Sequence, residues 1–194
     1  MLMGMTAENS AAKHAIDRAR QDICAFECQQ QAIASVEAGN FDEESGRLTV
    51  KNGREEAVFS REAYPNRKTD EEKLAKLRAA FKKDGSVTAG SASGINDGAS
   101  FVLLASEKAV KEHGLTPMAE LLATGQAGVD PSVMGLGPVP AIRKALKKAG
   151  MTLSDMELIE LNEAFAAQSL GVLRELSEEH GMSEEEIAQR TNLF

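Results

Sequence analysis

The chain has no tryptophan and one tyrosine, and aromatic residues make up 4% of its 194 positions. That supply is too thin for a stacking platform on single-stranded nucleic acid. Basic residues are also short: 22 Lys and Arg stand against 30 Asp and Glu, for a formal charge of −8. Nucleic-acid binding needs a positive face, so no nucleic-acid partner is expected. No apolar run nears the ~20 residues of a membrane-spanning helix, so no membrane partner is expected either. The opening Met1-Leu2-Met3-Gly4-Met5-Thr6 lacks the basic start and apolar middle of a secretory signal. Cysteine is scarce, at Cys24 and Cys28. Two thiols are too few for a closed zinc site, and the histidines are scattered, so no metal is expected. The two thiols read as buried residues on one helix face, in a reducing compartment that we take as cytoplasmic.

What is present is ample apolar content, 42%, enough to bury a core of one domain or a large part of two. The distinctive stretch is Val87-Thr88-Ala89-Gly90-Ser91-Ala92-Ser93-Gly94-Ile95-Asn96-Asp97-Gly98-Ala99. Its side chains are nearly all small, which lets a second backbone or a ligand come close. A plain tight connection is the alternative. Gly90 to Gly94 has the outline of a nucleophile elbow, but its centre is Ala92, so the nucleophile is missing. Gly135-Leu136-Gly137 lacks the third glycine of a dinucleotide fingerprint. His14, His113 and His180 sit in polar helical stretches and read as exposed residues.

In chain order, residues 6–14 read as a helix with Thr6 as its cap. Asp17 caps a longer helix that stops at Gly39, with Ile23, Phe26, Ile33 and Val36 as its buried face. Residues 47–60 read as a hairpin around Asn52-Gly53-Arg54. Thr69 and Glu72 suggest a capping box. The stretch from Arg67 to Lys83 is locally basic, which suits either a phosphate-bearing ligand or a solvated helix face. Strands are expected at 101–105, 118–124 and 156–161. Helices are expected between Ser106 and Gly114, and from Pro138 to Gly150 with Ile142, Ala145, Leu146 and Ala149 on one face. Further helices follow from Asn162 to Gly181 and from the box Ser183–Glu186. Strand–helix alternation from residue 100 onward implies an α/β layer with parallel pairing, whereas the first 85 residues look like a separate α+β segment. Asn162 and Glu163 would then lie where a strand ends and a helix begins, the crevice in which α/β sheets hold ligands. An Asn there can donate toward a developing oxyanion, directly or through water, and can equally serve as a helix cap.

Five stretches, in order and spacing, resemble the biosynthetic-type thiolases, the acetyl-CoA acetyltransferases. They are Met3-Gly4-Met5-Thr6-Ala7-Glu8-Asn9, Leu74 to Phe81, Val87 to Gly98, Val129 to Pro138, and Asn162 to Gln168. The resemblance implies a thiolase-like α/β fold in part. An α+β loop domain would cover residues 1–86, the final strand and helix of the first thiolase half 87–114, and the opening of the second half 115–194, leaving both βαβ layers incomplete. It implies a coenzyme A thioester such as acetyl-CoA as substrate, no prosthetic group, and a homo-oligomeric parent protein. Carried across position by position, coenzyme A contacts fall on Met3, Arg67, Leu77, Ala89, Ser93, Ile95, Met134, Ala164 and Phe165, and Asn162 supports the oxyanion hole.

The chain also departs from the family. The family's nucleophilic Cys would precede Met3, its Gly-His-Pro histidine and second Cys would follow Phe194, and Cys24 and Cys28 match neither. Leu2 replaces a family His, Ser91 a usual Asn, and Asn66 a family Arg, with Arg67 one residue along. Since nucleophilic catalysis needs a nucleophile with its base in reach, the expectation is a thiolase segment without turnover of its own. A free-standing coenzyme A or adenine-nucleotide binding module is the alternative.

Overall fold

A computed structural model describes residues 1–53, 55–60 and 64–192. Helix α1 spans Met3–Lys13. It begins earlier than Thr6, whose hydroxyl donates to the Met3 carbonyl at 2.7 Å. Thr6 therefore lies buried within the first turn instead of capping it. Helix α2, Arg18–Glu37, starts as expected, with the Asp17 carboxylate accepting from Arg20 N at 2.8 Å. Gly39 follows its end at φ +78°, a left-handed position that glycine adopts without strain.

The buried face of α2 is not the apolar one. Gln21, Asp22, Ala25 and Ser35 are buried, while Phe26, Ile33 and Val36 are half-buried and Ile23 is 49% exposed. Small and polar residues win this face because α2 packs against the short helix at Glu71–Ala75 and the helix at Ala166–His180, and because its polar groups find partners. Gln21 Nε2 donates to Ser86 Oγ at 2.9 Å, and Arg18 Nε spans both Asp22 oxygens at 2.8 and 2.7 Å.

Strands β1 (Leu48–Asn52) and β2 (Glu55–Phe59) form the expected antiparallel hairpin, with Leu48 opposite Phe59. Arg54 of its predicted turn lies outside the described residues. Helix α3, Glu71–Ala75, is capped by Asp70, whose carboxylate accepts from Lys73 N at 2.7 Å, not by Thr69 as predicted. Helix α4, Glu107–His113, has the Ser106 cap and Gly114 stop read from the sequence.

The predicted strands are where the structure departs most. Among the described residues the one sheet is the two-stranded β1–β2 ribbon. Residues 101–105 and 118–124 run without a ladder. Phe101, Val102, Leu103 and Leu104 are 79–95% exposed. Residues 156–161 make a single parallel bridge, Ile159 to Thr191. Apolar content alone does not make a strand: the backbone needs a neighbour to bond, and among the described residues none of these stretches has a full one.

A 3-10 helix at Pro131–Leu136 leads into α5, Pro138–Ala149, which buries Val139 and Leu146 and half-buries Ile142. Helix α6 runs Ala166–His180, and α7, Glu184–Ala188, has the reciprocal Ser183–Glu186 cap. Asn162 does not start α6, because the helix begins at Ala166 and Phe165, in an extended conformation, takes the cap position.

Two apolar clusters meet on α6. One gathers Leu136, Val139, Leu146, Leu153, Leu161, Val172, Leu176 and Ile187. The other joins Ala7, Ala11, Ile16, Val87 and Ala167, with Phe81 and Phe165 packed against it. Each fully buried Leu, Ile or Val contributes roughly 1.5–3 kcal/mol, so both clusters hold α6 firmly. His14, read as exposed, is tucked beneath this helix: its side chain is 8% exposed and Nε2 lies 3.1 Å from Glu175 Oε1. His180 is half-buried as well, and His113 is exposed.

Candidate functional site

The small-residue stretch earns its composition twice. Its start is pinned by its own hydroxyls. Thr88 Oγ1 accepts from Gly90 N at 3.1 Å and Ser91 N at 3.3 Å, and Ser91 Oγ accepts from Thr88 N at 3.0 Å. Thr88 and Ser91 are both buried, so Ser91 takes a structural bond in the place where the resemblance had led to Asn. Upstream, the buried Glu8 carboxylate accepts from Ser86 N at 3.0 Å and Val87 N at 2.9 Å, tying the loop to α1. Close approach fixes Gly90: a Cβ there would lie 2.5 Å from Leu74 Cδ2 and 2.8 Å from Leu77 Cδ1.

Residues 91–93 then pair with residues 164–166. Ser93 N donates to Ala164 O at 2.9 Å, Ala166 N donates to Ser91 O at 3.0 Å, and Ala92 bridges Phe165 in antiparallel register. This pairing keeps Phe165 extended and delays α6 to Ala166. Phe165 is held from its other side by Phe81, edge to face at 5.9 Å between ring centres and 82° between planes.

Beside this seam lies a cavity of about 480 Å³. The small loop lines it with Ala89, Gly90, Ser91, Ala92 and Ser93; α2 with Cys24, Ala25, Cys28, Gln29 and Ala32; residues 64–69 with Tyr64, Pro65, Asn66 and Thr69; Leu74, Glu163 and Ala166 complete it. The wall of residues 64–69 is attached to α2 through Asn66 N, which donates to Gln29 Oε1 at 2.7 Å. The lining is narrow, mostly small side chains and backbone, with one carboxylate and two thiols. Such a groove suits a thin, flexible, largely uncharged ligand segment.

Of the residues singled out from the sequence, Ala89 and Ser93 line the cavity, and Ala164 and Phe165 pair directly with the loop that forms it. Leu77 lies against Gly90 behind the wall. Met3 and Met134 are about half exposed, at 48% and 44%, at the head of α1 and in the 3-10 helix; these elements are joined by Asn9 Nδ2 donating to Ser132 O at 2.9 Å. Ile95 is fully exposed, Asn162 is exposed next to the cavity residue Glu163, and Arg67 is ion-paired with Glu37. None of these five lines the cavity. The basic stretch is in good part paired with acids, Lys73 with Asp70 and Lys76 with Glu72, which favours the solvated-face reading.

Sequence reasoning placed Glu163 at a ligand crevice, and it does line the cavity, but it missed Cys24 and Cys28 as cavity residues. The four-residue spacing of the thiols does put them on one helix face, but nothing in the sequence said which surface that face meets. Cys24 is half-buried and Cys28 exposed, and both are free thiols. Burial first, and the Glu163 carboxylate second, push Cys24 up to about 12 and Cys28 up to about 11. Both therefore stay protonated at neutral pH and are poor nucleophiles as they stand. Among the described residues no group of three His, Cys, Asp or Glu could hold a metal ion.

Comparison with known proteins gives this arrangement a context. The family model "Thiolase, N-terminal domain" matches residues 1–108, and "Thiolase, C-terminal domain" matches residues 115–192. An acetyl-CoA acetyltransferase of Syntrophomonas wolfei is 50% identical over 174 residues, covering 90% of this chain and 44% of that protein. The human mitochondrial 3-ketoacyl-CoA thiolase is 49% identical over the same shares. The chain thus spans about half the length of the curated relatives it matches. The crystal structure of the Bacillus anthracis acetyl-CoA acetyltransferase superposes with a TM-score of 0.88 at 44% identity, over 100% of this chain and 47% of that one. The human mitochondrial 3-ketoacyl-CoA thiolase in complex with CoA gives 0.85 at 45% identity, over 98% and 45%. Models of two successive domains of one family fall end to end on the chain, and its backbone follows the solved members closely: the chain belongs to the thiolase family.

Proposed function

We propose that this chain supplies the coenzyme A thioester-binding groove of an acetyl-CoA C-acetyltransferase. The observation that carries the reading is the seam of Ser91–Ser93 against Ala164–Ala166 beside a narrow cavity. A pantetheine arm is slim and needs backbone close alongside, which a run of Ala, Gly and Ser permits. In this reading Ala89, Ser93, Ala164 and Phe165 flank the arm. Met3, Leu77, Ile95 and Met134 border its path, and Arg67 stands in for the family Arg. Asn162, at the exposed head of the same stretch, holds an oxyanion-directed water. Two free thiols suit a reducing compartment such as the cytoplasm, and the parent enzyme self-associates as a dimer or tetramer.

In the same reading, acyl transfer does not belong to this chain alone. Cys24 and Cys28 are held protonated, and a carboxylate is too weak a base to ionise them. Calorimetric titration of the chain with coenzyme A tests the groove. Ala89→Leu, which fills the cavity from an exposed position, is expected to weaken binding at least about tenfold, the ~1.4 kcal/mol cost of displacing a well-fitted segment, with little change in the urea midpoint. Equal binding by both proteins would remove the groove from the function. An acetyl-transfer assay on the pure chain decides the second point, where steady turnover refutes the division of labour.

A further inference from the structure

Cys24 and Cys28 stand one turn apart on α2 and both line the cavity wall that faces the small-residue loop, with Glu163 beside them. Neither thiol has a place in the function above. Building on that reading of the groove, we propose that Cys28 is a modification site that takes up a pantetheine-type disulfide as a mixed disulfide and so closes the groove to thioesters.

The choice of Cys28 rests on access. It is exposed where Cys24 is half-buried, so a sulfur in the groove meets it first. The adduct is also protected from its neighbour. Side chains four apart on a helix hold their Cβ atoms about 5–6 Å apart, whereas a disulfide needs about 3.5–4.5 Å. Cys24 therefore cannot resolve the adduct into an internal bridge without unwinding α2. The exchange is balanced and needs no separate oxidant. Cys28 gives its proton to solvent base, and the thiolate attacks one sulfur of coenzyme A disulfide. That S–S bond breaks, a Cys28–coenzyme A S–S bond forms, and the second coenzyme A leaves as a thiolate that takes up a proton.

Glu163 acts as a brake. Partial enclosure in the groove wall and the Glu163 charge hold the thiol up at about 11, so only a small fraction of molecules carries the thiolate at pH 8. Small reagents that do not bind meet that barrier unaided. A disulfide held in the groove offsets it through effective concentration.

The test is peptide-mapping mass spectrometry of the full chain at pH 8, comparing coenzyme A disulfide with 2-hydroxyethyl disulfide. Modification of Cys28 by the first is expected to be at least about tenfold faster, and an excess of desulfo-coenzyme A should suppress that advantage. Glu163→Gln should speed both reactions, as a merely structural residue would not. Equal rates for the two disulfides, an adduct on Cys24, or a Cys24–Cys28 bridge would overturn the proposal. Calorimetry with desulfo-coenzyme A separates the two ideas. Binding without a Cys28 adduct overturns the modification site alone, and absence of binding overturns the groove as well.

Discussion

Glu8 offers the sharpest test of how the site is held. It is 6% exposed, and both of its oxygens are in use: Oε1 accepts from Val87 N at 2.9 Å, and Oε2 from Ser86 N at 3.0 Å and Ser86 Oγ at 3.3 Å. Val87 is fully buried, whereas Ser86 keeps partial access to water. A buried amide left without an acceptor costs about 1–3 kcal/mol. Glu8→Ala strands both amides and opens a void, so a loss of about 3–5 kcal/mol is expected. Glu8→Gln keeps the shape but puts an NH₂ where one acceptor was. The amide would turn its oxygen to Val87 and its nitrogen to Ser86, where water can compensate, so the loss should be about 1 kcal/mol. Urea denaturation followed by far-ultraviolet circular dichroism measures both. The groove should respond in the same order, with coenzyme A affinity falling more for Ala than for Gln, because the Ser86–Val87 anchor sets where Ala89 to Ser93 lie. If Glu8→Ala costs less than about 0.5 kcal/mol, or the two variants are indistinguishable, the carboxylate is not the anchor described.

Two further outcomes are expected. Leu176→Ala, at a position 1% exposed in the cluster of α5, α6 and α7, should lower unfolding free energy by about 2–5 kcal/mol, read from the same urea transition. Stability should also depend on acid. Burial works against the charge on Glu184, but hydrogen bonds from Arg174 and Arg20 outweigh it and hold its carboxyl below the ordinary 4.5. The Arg143 hydrogen bond lowers Glu179 in the same direction. With the folded-state value below the unfolded one, this contribution is complete above pH 4.5 and is lost as pH falls through the folded value. Glu184→Gln should therefore lose stability at neutral pH and show a shallower decline below pH 4.5, and an unchanged acid limb in urea titrations would count against the ion pairs.

Local punctuation was legible in the sequence. Asp17, Ser106 and Ser183 cap helices by bonds to the next turn, and Gly39, Gly114, Gly150 and Gly181 end them, because such signals depend on a few adjacent atoms. Thr6 and Thr69 misled because a hydroxyl can serve a neighbouring carbonyl or yield to an adjacent Asp as easily as cap. The stretches at 101–105 and 118–124 read as strands because apolar runs commonly are, but a ladder depends on a second segment that no local pattern reports. The apolar stripe of α2 misled for a related reason: the side that packs is chosen by what lies opposite, here α3 and α6. One wall of the cavity was readable from residue type, since the small side chains of Ala89 to Ser93 announce close approach. That the two thiols face Glu163 was not readable, because their meeting joins α2 to the segment before α6, more than 130 positions along the chain.

Helix α6 is the party wall of the molecule. Its first turn abuts the groove through Ala166 and packs Ala167 into the cluster of α1 and Val87, and its later turns carry Val172 and Leu176 into the other cluster. Neither side can be dismantled while that wall stands, and neither keeps its shape once it falls. A substitution deep in the far cluster should therefore be felt by a ligand in the groove, and loss of binding and loss of helix should follow one denaturation curve.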